Sequence, residues 1–432
     1  MTHTRRWLSR PVLAWALYDV ATSTYAAIVP PFFGLYFVSV VMGDVPGATG
    51  RWGLVAALAL ALAGVLAPLV GAYADRRERW LSALWWSTSL CMLPTLLMPL
   101  AGHAELRLAA VLFIAAQVGY TLATANYDSL LLRVAAPTHV GRVSGFGWAL
   151  GFSGGILALL VALSIMHGVP AAAQPMRLAD AFLAAGLLGI ALGIFALLGL
   201  RRLRNEHLRN RLVGIAAHRT LGGVLETLRH WRRHREAFRF LLAFYLINDV
   251  LVTILLFVAI VVRARFGLTI EGLLWLALLY HVLAAPATLV LGTLADHVGQ
   301  KPMLYAMSAV LGVAILLMAF GRHSLVPVVV VVLLSLVYGS LQAVCRSLFS
   351  LLIPADQAGE LFGFNAVAGR LSAATGPLVF GIASAAFGSD DWALCLLLVP
   401  LVVGVTVLLY VQVPLSNAAS HGLMHSLSVN RR

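Results

Sequence analysis

Charge is scarce in this sequence. Asp, Glu, Lys and Arg make up 11% of its 432 residues, and mean hydropathy reaches +0.92. A soluble domain carries about a quarter charged residues and roughly 45–50% apolar ones, whereas 61% of this chain is apolar. A large core does not account for that excess, and a bilayer does. Cysteine is rare as well: Cys91, Cys345 and Cys395 all fall in apolar stretches, which argues against a disulfide framework and reads as three buried small residues. The sequence holds no Gly-rich phosphate loop, zinc-ligand spacing or nucleophile elbow, so nothing points to an enzyme, a cofactor or a metal. His281 stands alone in an apolar run and reads as a satisfied interior histidine. Ten-residue alternating segments are also missing, which excludes an outer-membrane barrel.

What is present is a series of apolar runs of about the 20 residues that a membrane-crossing helix needs. They cover 12–41, 52–73, 80–101, 108–132, 143–167 and 179–200, then 238–262, 272–294, 303–320, 325–353, 362–387 and 392–413. The expected fold is an all-α membrane protein with twelve transmembrane helices in two pseudo-symmetric six-helix bundles. The bundles are expected at 1–200 and 239–413, joined by a basic linker at 201–238 and followed by a tail at 414–432. The run Arg5-Arg6-Trp7-Leu8 resembles a twin-arginine leader, but the apolar stretch behind it is too long, so 12–41 reads as the first helix.

The net charge of +13 could suggest nucleic acid, but its distribution argues for lipid instead. Of the 30 Lys and Arg residues, Arg51, Arg107, Arg177, Arg263, Arg265 and Arg322 fall in one set of loops and Arg346 and Arg370 within helices; the rest share the face that carries both termini. Basic loops stay in the cytoplasm, so both termini are expected there, in a bacterial inner membrane. An amphipathic piece at 221–231 of the linker reads as lying on anionic lipid.

A duplication is visible. The constant step that takes Tyr120 to Tyr338 also takes Ser129 to Ser347, Leu130 to Leu348, Gly141 to Gly359, Gly145 to Gly363, Phe146 to Phe364 and Gly151 to Gly369. It takes Asp128 to Arg346. The scaffold is kept and the charge reverses, which would let the two residues pair across the bundles in one state and part in another.

The first, fourth, seventh and tenth helices carry ionisable residues in their cores, and the third, sixth, ninth and twelfth do not. Each central Asp or Arg costs about 2.5–3.5 kcal/mol on insertion scales, so Asp19, Asp128, Asp249, Arg346 and Arg370 demand partners or water. Their helices are expected to line an interior, and the uncharged ones to face lipid. Gln117, Thr121, Thr124 and Asp128 share one helical face, with Tyr120, Asn126 and Tyr127 beside it. Ser335, Tyr338, Gln342 and Arg346 repeat the design. The first helix adds Tyr18, Asp19, Thr22 and Tyr25; the seventh adds Tyr245, Asn248, Asp249 and Thr253; the eleventh adds Asn365 beside Arg370. These residues are candidates for substrate binding or coupling, with interhelical glue and internal salt bridges as the rival reading. Gly71, Asp75 and Arg76 close the second helix, and Gly292 and Asp296 the eighth, as candidates for a cytoplasmic gate. Gly147, Gly151 and Gly155 form a ladder in the fifth helix, answered by Gly369, Gly376-Pro377 and Gly381 in the eleventh, suited to close helix packing.

Two six-helix halves and paired Gly-x-x-x-Asp loops resemble the major facilitator superfamily over essentially the whole chain. The stretches Trp15-Ala-Leu-Tyr18-Asp19, Arg142 to Gly151, Asn248-Asp249, Arg346-Ser-Leu-Phe349 and Phe362-Gly-Phe364 resemble its vacuole-effluxer branch, the autophagy-related transporters and their bacterial relatives. That resemblance implies alternating access about a midplane site and efflux of amino acids. Val20 and Thr22 stand where the branch commonly has Trp and Asn, and Glu78 where the loop motif has glycine. The expected function is secondary transport of a small polar organic solute, with a coupling proton as a further candidate partner and a monomer as the expected state. The alternatives are a proton-coupled multidrug antiporter and a non-transporting membrane scaffold or sensor.

Overall fold

The computed structural model describes residues 8–76, 80–134, 140–203, 234–353 and 358–412. Within them the regular elements are helical: α1 (Arg10–Tyr36), α2 (Ala48–Arg76), α3 (Trp80–Leu97), α4 (Leu106–Val134), α5 (Val140–Met166) and α6 (Gln174–Leu203). After the linker come α7 (Arg235–Phe266), α8 (Ile270–Val298), α9 (Gln300–Phe320), α10 (Val326–Leu352), α11 (Ala358–Phe387), α12 (Asp390–Leu396) and α13 (Leu398–Leu409). A bilayer offers the backbone no hydrogen bonds, so each crossing must satisfy its own, and a helix does. Several helices outrun the apolar stretch that announced them, because polar residues such as Arg51, Gln174 and Arg235 can continue a helix into the headgroup region.

Eleven spans among the described residues are long and apolar enough to cross a membrane, with α12 and α13 forming one of them, Asp390–Leu409. The remaining helix, α11, is 30 residues long, and its residues Ala373–Phe387 form a further apolar stretch. The linker piece at 221–231 and the tail at 414–432 lie outside the described residues.

Burial separates centre from periphery. The apolar windows of α1 and α7 are 72% buried, against 39% for the third span and 33% for the twelfth. The first and seventh helices therefore sit inward, as the charge pattern implied, whereas the fourth span, at 50%, is no more buried than the uncharged ninth. An unexpected member of the exposed set is α8, at 22%.

Three helix pairs make most of the contact between the two halves: α2 packs on α11, α5 on α8 and α1 on α7. Advancing each helix by six converts the first pair into the second and leaves the third unchanged, as a two-fold relation requires. The described ties between the halves cluster on one face, away from the start of α1 and the end of α13; we call it the far face and its opposite the terminal face. There Arg263 Nη1 donates to Ser39 Oγ at 2.5 Å, and Glu271 N–H donates to Gln174 Oε1 at 3.2 Å. Gly53 meets the Pro377 carbonyl and Gly381 backbone-to-backbone, and Gly50 meets Gly381.

The twelfth span is fastened at both ends. Arg265 pairs with Asp391 and donates to the Ala319 carbonyl on the far face. On the terminal face Lys301 Nζ donates to the Val411 carbonyl at 2.7 Å and the Leu409 carbonyl at 3.3 Å. A cation there answers the unpaired carbonyls of a helix end.

The α2–α11 contact leaves no room for a side chain, since a Cβ at Gly53 would lie 2.5 Å from the Pro377 oxygen. Gly53→Val should destabilise the purified protein by about 1–3 kcal/mol, the usual cost of overpacking. Thermal unfolding in detergent tests this, and an unchanged profile would show that the helices do not meet there.

Candidate functional site

Exposure along the two polar stripes rises toward the terminal face. Gln117 and Ser335 are buried, Thr121, Thr124, Tyr338 and Gln342 are half-buried, and Asp128 and Arg346 are exposed. Both stripes thus run from a sealed far half into a space open toward the terminal face. Asp128 and Arg346 each lie about two turns before the end of their helices, at matching depths.

The wall built by α1 and α4 is acidic and aromatic. Tyr25 donates to Gln117 Oε1 at 3.0 Å, and its ring lies 5.2 Å from that of Tyr120. Trp15 stacks on Tyr127 with centroids 4.4 Å apart and donates its indole N–H to the Tyr127 carbonyl at 3.1 Å. Tyr18 shares a 2.6 Å hydrogen bond with Thr88 of α3. Asp19 rests against Gly151 of α5, where a Cβ would overlap its carboxylate, and lies within Coulombic reach of Asp128. The Asn126 amide nitrogen and the Tyr127 hydroxyl are buried without a hydrogen-bond partner among the described residues.

The opposite wall, from α7, α10 and α11, is a polar relay. Gln342 Nε2 donates to Asn248 Oδ1 at 2.6 Å, and Asn248 Nδ2 donates to the Gly369 carbonyl at 3.1 Å. Tyr245 and Thr375 share a hydroxyl hydrogen bond. Asp249 is buried and its Oδ1 accepts from the Gly376 N–H at 2.7 Å. That contact sits where Pro377 interrupts the helical ladder. A Cβ at Gly376 would overlap both Asp249 and Thr253. The central aspartates of the two halves are therefore seated alike, each in a glycine notch.

Arg346 does not reach a carboxylate among the described residues. Its Nε donates to the Gln342 carbonyl at 3.3 Å, and its guanidinium lies over the Trp148 ring of α5, 5.7 Å from the centroid. The pairing of Asp128 with Arg346 suggested by the repeat is thus not among the ion pairs described in this conformation. Asp296 is exposed near the end of α8, and Gly292 is half-buried. The side chains of Gly71, Asp75, Arg76, Asn365 and Arg370 lie outside the described residues, although their backbones are helical.

Sequence reasoning missed Trp148, Tyr280, Thr88 and Thr375. Tyr280 faces Tyr338 at 6.3 Å and His281 at 5.3 Å, and His281 Nδ1 bonds the Ala277 carbonyl at 2.9 Å. Trp148 carried one available signal: it lies within the glycine ladder, one turn from both Gly151 and Phe152. A tryptophan in an apolar helix otherwise passes for a lipid anchor.

Chemically, the interior offers carboxylates on one wall and a guanidinium with amides on the other. Comparison with known proteins identifies the family and the fold. The chain is 24% identical over 405 residues to an uncharacterised MFS-type transporter, YxiO, of Bacillus subtilis (strain 168), covering 92% of this chain and 94% of that one. Its fold is shared with the xylose transporter XylE from E. coli in an inward open conformation, with a TM-score of 0.69 at 15% identity over 94% and 96% of the two chains. A mutant of the nucleoside transporter NupG gives a TM-score of 0.67 at 15% identity, over 93% and 98%. The family described as vacuole effluxer Atg22 like matches residues 53–420. The chain therefore belongs to the Atg22-like vacuole effluxer family and is an MFS-type secondary transporter that crosses the membrane many times.

Proposed function

We propose that this transporter carries a small zwitterion, an amino acid in its simplest form, by alternating access between its two halves. The observation that carries this reading is the dipolar interior. Asp19 and Asp128 project from one wall, while Arg346, Gln342 and Asn248 form the other. Asp249 lies buried against α11, where its Oδ1 accepts from the Gly376 N–H, rather than on the exposed surface of the space. An ammonium group suits the first wall and a carboxylate the second, since a guanidinium binds carboxylates through paired donors.

The far-face ties keep the halves together on one side while the stripes open on the other. We assign the terminal face to the cytoplasm, because the basic loops and both termini share it. The bundles would then comprise residues 1–200 and 239–413, with Gly71, Asp75, Arg76, Gly292 and Asp296 forming the cytoplasmic closure and Arg370 a second cation for the anionic group. Export is the direction that the family name suggests.

Counterflow in proteoliposomes with labelled amino acids tests the substrate. The zwitterions should exchange, and their decarboxylated amines should compete poorly. Loss of a charge-assisted hydrogen bond worth about 1.5–3 kcal/mol in Arg346→Gln should raise KM by roughly 10- to 100-fold. Exchange absent for every amino acid, in protein shown to be folded, would sink the reading.

Coupling is tested by uptake with and without an imposed pH gradient. If Asp128 carries the proton, Asp128→Asn should abolish the stimulation by the gradient even at substrate concentrations that restore counterflow, which needs no net proton movement. Undiminished stimulation would remove Asp128 from the proton path.

A further inference from the structure

We infer that Trp148 is a positioning residue: one half of the transporter lends it to the other to hold Arg346 as a carboxylate receptor. The inference rests on the proposed role of Arg346 as the anion-binding group and extends it to a residue in the opposite half.

Arg346 belongs to α10 and Trp148 to α5, so their contact crosses the boundary between the halves. The guanidinium lies 5.7 Å from the indole centroid, within the range of a cation–π interaction. Both side chains are partly open, Trp148 at 37%, so the pair borders the interior space. Arg346 spends its Nε on the Gln342 carbonyl. Among the described residues its two terminal nitrogens make no hydrogen bond or ion pair.

A guanidinium pinned through Nε and resting on a ring face loses most of its rotational freedom. Its remaining N–H groups then present a fixed fork, which suits a carboxylate. Gln342 serves twice, because its carbonyl fixes Arg346 while its side chain joins Asn248. The anion site is consequently shared: α7 and α10 supply the donors, and α5 supplies the surface that orients them.

Position along the helices gives this contact a second consequence. The interhalf hydrogen bonds described above lie on the far face, whereas Trp148 and Arg346 meet in the terminal-face half of α5 and α10. The contact is made while the space is open toward the terminal face, so the receptor stands formed on the side where that face gives access.

The test compares two fillings of the same space. Trp148→Phe keeps a π face, and Trp148→Leu keeps bulk without one. Phenylglyoxal labelling of Arg346 in the purified protein, read by mass spectrometry, should be slow in wild type and Trp148→Phe. It should rise several-fold in Trp148→Leu. In proteoliposomes, Trp148→Leu should raise KM for the zwitterion about tenfold, on the scale of a lost cation–π contact, with little change in kcat, and Trp148→Phe should recover most of it. Equal labelling in wild type and both variants would overturn the inference. The expected labelling pattern without any amino-acid exchange would instead sink the substrate reading and leave the stacked guanidinium standing.

Discussion

The cost of placing an ionised group in hydrocarbon constrains this molecule more than any other single factor. Each intramembrane Asp or Arg is worth a few kcal/mol against insertion, so the helices that carry them cannot turn to lipid. That requirement draws α1 and α7 to the centre, where their windows are the most buried. It also explains why two glycine-bearing helices, α5 and α11, lie beside them. Asp19 and Asp249 need close neighbours rather than lipid, and a glycine lets the neighbouring backbone come near enough.

Asymmetry between the halves carries the chemistry. The duplicated scaffold gives matching depths to Asp128 and Arg346, and the change of sign between them turns two similar walls into a dipole. The carboxylate on α7 is buried within its own half, against the Gly376 N–H, and not on the exposed wall. A two-fold scaffold with unlike walls suits a solute with unlike ends. The same reasoning explains why the aromatic residues gather around the interior: Tyr25, Tyr120, Tyr280 and Tyr338 supply flat surfaces with polar edges between the charged regions.

How much of this could be read beforehand depended on the physics of each feature. The series of apolar spans, the inward place of α1 and α7 and the repeat follow from hydropathy and from the cost of charge, which act along the chain. The seat of Asp249 does not follow. Gly376-Pro377 announces a break in α11, yet nothing in the sequence says that the Gly376 N–H would meet a carboxylate more than a hundred residues away. Arg263 and Arg265 read only as loop charges, although the structure uses one to join the halves and the other to fasten the twelfth span. Trp148 lies within the Arg142 to Gly151 stretch with no role legible there, because its partner lies on a helix from the other repeat. Contacts of this kind arise from the docking of two bundles, and local pattern is silent about docking.

The two glycine notches bear on how such a transporter could change its cargo. At 151 and 376 any side chain would displace a carboxylate, so the acid groups are held by positions that tolerate almost no variation. Tyr120, Thr124, Tyr338 and Gln342 border the same space on partly exposed surfaces. Divergence of specificity, in nature or in a directed library, has its room at those four positions, while the notches keep the machinery beneath them constant.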